Sequence, residues 1–93
     1  MHVEATAKIT QSIEIKKFRY YVASKVAAEI EILCFADGKF AGQGIINICE
    51  NEPFVSSTVY NTLDETLQNC YEIIESKIKN HEWVKSARKN LNF

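Results

Sequence analysis

From Val3 to Ile15 the chain alternates: the odd positions read Val, Ala, Ala, Ile, Gln, Ile, Ile and the even positions Glu, Thr, Lys, Thr, Ser, Glu. A period of two predicts a strand with one wet face. The β-branched Thr6, Ile9, Thr10, Ile13 and Ile15 favour that over a helix. After Ile15 the phase slips, since Phe18, Tyr20 and Val22 stand on even positions, and a bulge or bend near Lys16 and Lys17 accounts for the slip. Alternation resumes with Val26, Ala28, Ile30, Ile32 and Cys34 on one face and Glu29 and Glu31 on the other. Asp37-Gly38 then predicts a two-residue hairpin turn, which pairs Ala36 with Lys39, Phe35 with Phe40 and Leu33 with Gly42. That register sets Glu29 opposite Ile46, so a bulge at Gly42 or Gly44 is expected to return Ile46 and Ile48 to the apolar face.

Residues 50–53 read as a turn and residues 54–60 as a further strand, with Pro53 placed before it where a missing N–H does little harm. Thr62 and Glu65 have capping-box spacing, and Asp64 and Glu65 favour the positive end of a helix. A helix over about 62–79 follows, with Leu63, Leu67, Cys70, Ile74 and Ile78 as its apolar stripe, widened by Tyr71 and Ile73. The stripe fails at Asn80, and Trp83, Ala87 and Leu91 begin a shorter one. The whole predicts one α+β domain over 1–93: an antiparallel sheet of four or five strands within 3–60, a main helix across one face, and a short C-terminal helix.

Composition changes this picture little. Ninety-three residues that are 46% apolar and 25% charged suit one ordinary globular domain and argue against disorder. No apolar run approaches the ~18 residues of a membrane span, and a cytoplasmic location is the default expectation. Cys34, Cys49 and Cys70 are odd in number and match neither a disulfide framework nor a C-x-x-C ligand pair. They read as small buried hydrophobes, and with His2 and His81 they give no pair at metal-ligand spacing. No cofactor is expected.

Charge is more informative. Residues 1–25 carry a net +3, residues 26–76 a net −8 and residues 77–93 a net +4. Either the basic ends fold back on the acidic middle, or the segregated charges face partners. Two candidate surfaces follow. One is a protein-binding set: Glu29, Glu31, Glu50 and Glu52 from the acidic hairpin and turn, with Trp83, Lys85, Arg88 and Lys89 from the terminal helix. The other is a nucleic-acid-binding set: Lys16, Lys17, Arg19, Tyr21, Lys77 and Lys79. In the stretch KKFRYY, strand alternation puts Phe18 and Tyr20 on one face and Arg19 and Tyr21 on the other, so only Tyr21 is left beside the charges.

For catalysis there is no nucleophile, base and oxyanion-hole constellation. Ser56, Ser57 and Thr58 lack a G-x-S-x-G context, and His2 and His81 have no assigned partner. The glycines of Gly42-Gln43-Gly44 fall inside a strand, which indicates close backbone approach or a bulge and not a phosphate loop.

The segment NTLDETLQNCYEIIESKI, following a strand that contains glycines, resembles the sheet-then-helix ending of HicB-type antitoxins and of integrase arm domains over under a third of the chain. In size and α+β build the chain is also broadly similar to small inhibitors made by phages and other mobile elements. The resemblance implies a fold ending and carries no site residues. The expected function is that of a small non-catalytic binding protein, an inhibitor or antitoxin-like module for a protein partner; a nucleic-acid-binding module is the alternative. The long first strand suggests homodimerisation by strand-edge pairing, and no membrane partner is expected.

Overall fold

The computed structural model describes residues 12–91. Four antiparallel strands run as a meander in the order β1-β2-β3-β4: β1 Ser12–Val22, β2 Lys25–Phe35, β3 Phe40–Ile46 and β4 Glu52–Val55. A 3-10 turn at Asn47–Cys49 joins β3 to β4. Helix α1, Leu63–Ile78, and helix α2, Glu82–Leu91, complete the α+β fold. The expected beginning of the first strand at Val3, and His2 with it, lies outside the described residues.

The sheet's register differs from the expected one in two places, each with a local cause. The hairpin loop closed by Phe35 and Lys39 has three residues, not two: Gly38 N–H donates to Phe35 O (3.0 Å), Phe35 N–H donates to Lys39 O (2.9 Å), and Gly38 takes φ +84°. This is a tight turn followed by a left-handed glycine, the common three-residue hairpin. The extra loop residue shifts the pairing by one, so that Ala28 faces Ile46, Ile30 faces Gly44 and Ile32 faces Gly42. The apolar rows then match without the expected bulge at Gly42 or Gly44. In the β1–β2 pair the steps fall at Ile13 and Ala27, which have no partner, and not at Lys16 and Lys17. Regular pairing from Glu14 to Tyr20 puts Ile15 on the face of Lys17 and Arg19, away from the core.

A third difference concerns the last strand, expected over 54–60, which stops at Val55. Ser56 Oγ accepts from Gly42 N–H (2.9 Å) where a strand carbonyl would otherwise serve, and α1 holds the excursion through Asn69, whose Oδ1 accepts from Ser57 N–H (2.8 Å). The chain rejoins the sheet only at Tyr60, which exchanges two backbone hydrogen bonds with Phe40.

The helices form where their signals stand. Thr62 Oγ1 accepts from Glu65 N–H (3.1 Å), the expected cap, and its hydroxyl reaches the Glu65 carboxylate. His81 caps α2: its carbonyl accepts from Lys85 N–H and its Nδ1 from Trp83 N–H (3.2 Å). Both helices lie on the same side of the sheet. Thr66, Cys70, Ile74 and Ile78 of α1 and Val84 of α2 are fully buried with Ala28, Ile30, Ile32 and Ile46 of the sheet. Thr66, polar and absent from the expected stripe, is accommodated because its hydroxyl donates back to Thr62 O (2.8 Å).

Helix α1 approaches β3 over a missing side chain. A Cβ on Gly42 would run into Cys70 Sγ and come within 3.3 Å of Ile32 Cδ1, and one on Gly44 would meet the Phe54 ring at 2.8 Å. Close approach, not a bulge, therefore explains both glycines. Gly42→Ala should cost about 1–3 kcal/mol through overpacking, read as a lower urea midpoint. Adding Cys70→Ala should return part of that loss in a double-mutant cycle; strict additivity of the two changes would contradict the seating of α1 on Gly42.

Candidate functional site

With both helices on one side, the other side of the sheet has no covering element among the described residues. Strand alternation decides what it shows. From β1 come Ile15, Lys17, Arg19 and Tyr21; from β2, Glu29, Glu31 and Leu33; from β3, Ala41, Gln43 and Ile45; from β4, Pro53 and Val55. Four of these are large apolar side chains left substantially in water: Val55 is 68% exposed, Tyr21 54%, Ile15 49% and Ile45 43%. A trough of about 830 Å³ runs across all four strands from Tyr21 to Val55.

The trough has a charged half and an apolar half. On β1, Lys17 and Arg19 stand in register with Glu31 and Glu29 of β2. Such opposite charges would normally pair across the strands. Here the carboxylates are held from the other side: Gln43 Nε2 donates to Glu31 Oε1 (3.0 Å) and Asn47 Nδ2 donates to Glu29 Oε2 (3.1 Å). No ion pair among the described residues includes Lys17 or Arg19. Beyond Gln43, Ile45, Pro53 and Val55 make the apolar half. Such a face can hold an amphipathic partner by apolar burial and orient it by charge. Among the described residues no three His, Cys, Asp or Glu side chains converge as a metal site would require. No family model, curated protein or solved structure matches the chain. The resemblance of its helical ending to the antitoxin and integrase families therefore gains no support from comparison, and the site stands on its own geometry.

Of the nucleic-acid candidates, Lys17, Arg19 and Tyr21 come together in the trough. Lys16 instead pairs with Glu14 (3.1 Å), Lys77 pairs with Glu52, and Lys79 ends α1, exposed and apart from them. Of the protein-binding candidates, Glu29 and Glu31 lie in the trough; Glu50 sits in the turn before β4 and Glu52 is drawn to α1 by Lys77. On α2, Lys85 and Lys89 are exposed, while Trp83 is half-buried with Lys25 Nζ 4.9 Å from its ring centroid. Arg88 is held internally as well. Its Nη1 and Nη2 donate to the two Glu75 carboxylate oxygens (3.0 and 2.6 Å), and the Tyr20 hydroxyl donates to the same carboxylate. The candidate residues thus do not form one surface.

Two features had no clear sequence signal. Ile45 lies in a run, Ile45-Ile46-Asn47-Ile48, whose apolar residues fall on both phases, and the hairpin register sets it opposite Glu29 on the outward face. The cluster of Tyr20, Glu75 and Arg88 joins β1, α1 and α2, with Tyr20 and Glu75 55 residues apart. Arg88 holds the Glu75 carboxyl below its ordinary value, Tyr20 adds to that lowering and burial opposes it. Burial first, then the bond to Glu75, pushes the Tyr20 hydroxyl up to about 12.

A carboxyl lowered on folding adds stability that is fully present above its unfolded value and disappears as pH falls through the folded one. Glu75→Gln should lower stability near pH 7 by about 1 kcal/mol, after allowing for the pair's partial exposure. In parallel urea titrations the gap between variant and wild type should close as pH drops below about 4. A gap unchanged from pH 7 to pH 3 would contradict the role given to Glu75.

Proposed function

We propose that the chain is a small non-catalytic binding protein that engages a protein partner through the uncovered face of its sheet, in the manner of an inhibitor or antitoxin-like module. One observation carries this reading: Ile15, Tyr21, Ile45 and Val55 are exposed on a single face of the sheet, among charges of both signs. Clustered exposed apolar groups with a polar surround are a mark of an interaction surface. The cytoplasm is the proposed setting, where the three free thiols stay reduced.

Lys17, Arg19 and Tyr21 would also suit single-stranded nucleic acid, with one ring for stacking and two cations for phosphate. Against that, Glu29 and Glu31 lie one strand away, about 4.8 Å, and would repel a phosphate backbone that passed from β1 onto the rest of the sheet. The apolar half, lined by Ile45, Pro53 and Val55, offers phosphate nothing. A protein surface fits both halves.

A photo-crosslinking residue at Tyr21 or Val55 should yield a discrete adduct in the cells that make this protein, and the same residue at Glu72, on the exposed side of α1, should not. The adduct should be destroyed by protease, survive nuclease, and fade when Ile45→Arg is added. Equal adducts from Glu72, or adducts that nuclease removes, would contradict the proposal.

A further inference from the structure

The two edges of the sheet are unequal. β4 is four residues long and contains Pro53, which cannot donate to a ladder. β1 is eleven residues long and, among the described residues, pairs only with β2, so its other side presents a row of backbone donors and acceptors. Along the open side of that edge run Ile15, Lys17, Arg19 and Tyr21, in the order apolar, cation, cation, aromatic. The neighbouring carboxylates, Glu31 and Glu29, are held by Gln43 and Asn47, and among the described residues neither cation is in an ion pair.

On the proposed protein-binding reading, we infer that β1 accepts an extended segment of the partner as a fifth strand. That segment carries two acidic side chains two residues apart, which meet Lys17 and Arg19, with apolar side chains on either side of them to meet Ile15 and Tyr21. A strand added at the edge places its alternate side chains about 4.5–5.5 Å from those of β1, within reach of charge-assisted hydrogen bonds. Backbone pairing supplies affinity and the alternate side chains supply selectivity, as in other β-augmentation complexes. The open face then continues into the trough, where the rest of the partner meets Ile45 and Val55.

A second copy of this chain is a poor occupant of the same edge. In the three antiparallel registers that overlap most of β1, symmetry sets Lys17 against Lys17, Lys17 against Arg19, or Lys16 against Lys16. Like charges directly opposite are destabilising. The basic row therefore guards against homodimerisation by edge pairing while admitting an acidic strand.

The probe is a fluorescein-labelled, capped peptide, Val-Thr-Glu-Thr-Glu-Thr-Val, titrated with the full chain and followed by anisotropy at low and moderate salt. Binding should weaken with salt and fall at least tenfold in the Lys17→Glu, Arg19→Glu double variant. Replacing the peptide's two Glu residues by Lys should restore binding to that variant. N-methylating alternate peptide amides in each of the two possible phases should abolish binding in one phase and spare the other, because only one edge of the added strand faces β1. Circular dichroism of the double variant checks that it folds; if it does not, the Lys-for-Glu peptide and the N-methylated pair on the wild type decide the matter alone.

Indifference to both N-methylations overturns strand addition, and so does binding that survives charge reversal. No binding by any peptide, with the Tyr21 and Val55 adducts intact, overturns strand addition and leaves the open-face reading in place. Loss of those adducts would remove that reading itself. A dimer in sedimentation that Lys17→Glu abolishes would also overturn the inference, because the edge would then belong to a second copy.

Discussion

The molecule depends on the seating of α1 across β3, where Gly42 removes the side chain that would collide with Cys70. Because the contact is backbone against helix, it sets how near the helix comes and which side of the sheet it covers. Ile30 and Ile32 of β2, flanking Gly44 and Gly42, then fill the space beside it, and Ile74 and Ile78 close over them. α2 adds Val84 and Trp83 to the same side. Every apolar contact made this way is one that the opposite face does not make. A sheet with one covered face is stable when its other face is polar; here that face keeps four large apolar side chains in water, which calls for a reason beyond folding.

Charge follows the same division. The segregation along the chain is partly resolved by folding: the basic C-terminal segment returns to the acidic middle through Lys77 with Glu52 and Arg88 with Glu75. Those partly exposed pairs orient the helices more than they stabilise them. Lys17, Arg19, Glu29 and Glu31 lie outside these pairs on the open face, with the carboxylates turned toward β3. These four charges and the exposed apolar side chains therefore share one face, although they are dispersed from Ile15 to Val55 in sequence.

Much of this was legible in the residues. The alternation around Ile30, the cap at Thr62, the stripe from Leu67 to Ile78 and the break at Asn80 each predict the element that forms, because each depends on neighbours within a few positions. The position of Tyr21 beside Lys17 and Arg19, with Phe18 and Tyr20 turned inward, follows from strand parity alone. What escaped was set by single residues with long reach. One extra loop residue at Asp37-Gly38 shifts the whole β2–β3 register, Ser56 ends β4 by lending its hydroxyl to Gly42, and the Glu75 cluster joins elements that no local pattern connects. Charged residues that are neighbours in sequence are distributed by folding over both sides of the sheet.

The central claim, that one face of the sheet is left bare for a partner, can be tested on the isolated protein. A soluble paramagnetic agent added to methyl-labelled chain relaxes each methyl in proportion to its access to solvent. Ile15, Ile45 and Val55 should relax strongly, while Ile30, Ile32, Ile46 and Ile74 should be nearly unaffected. If Ile45 and Val55 prove as protected as Ile30, the face is already covered and the account is wrong.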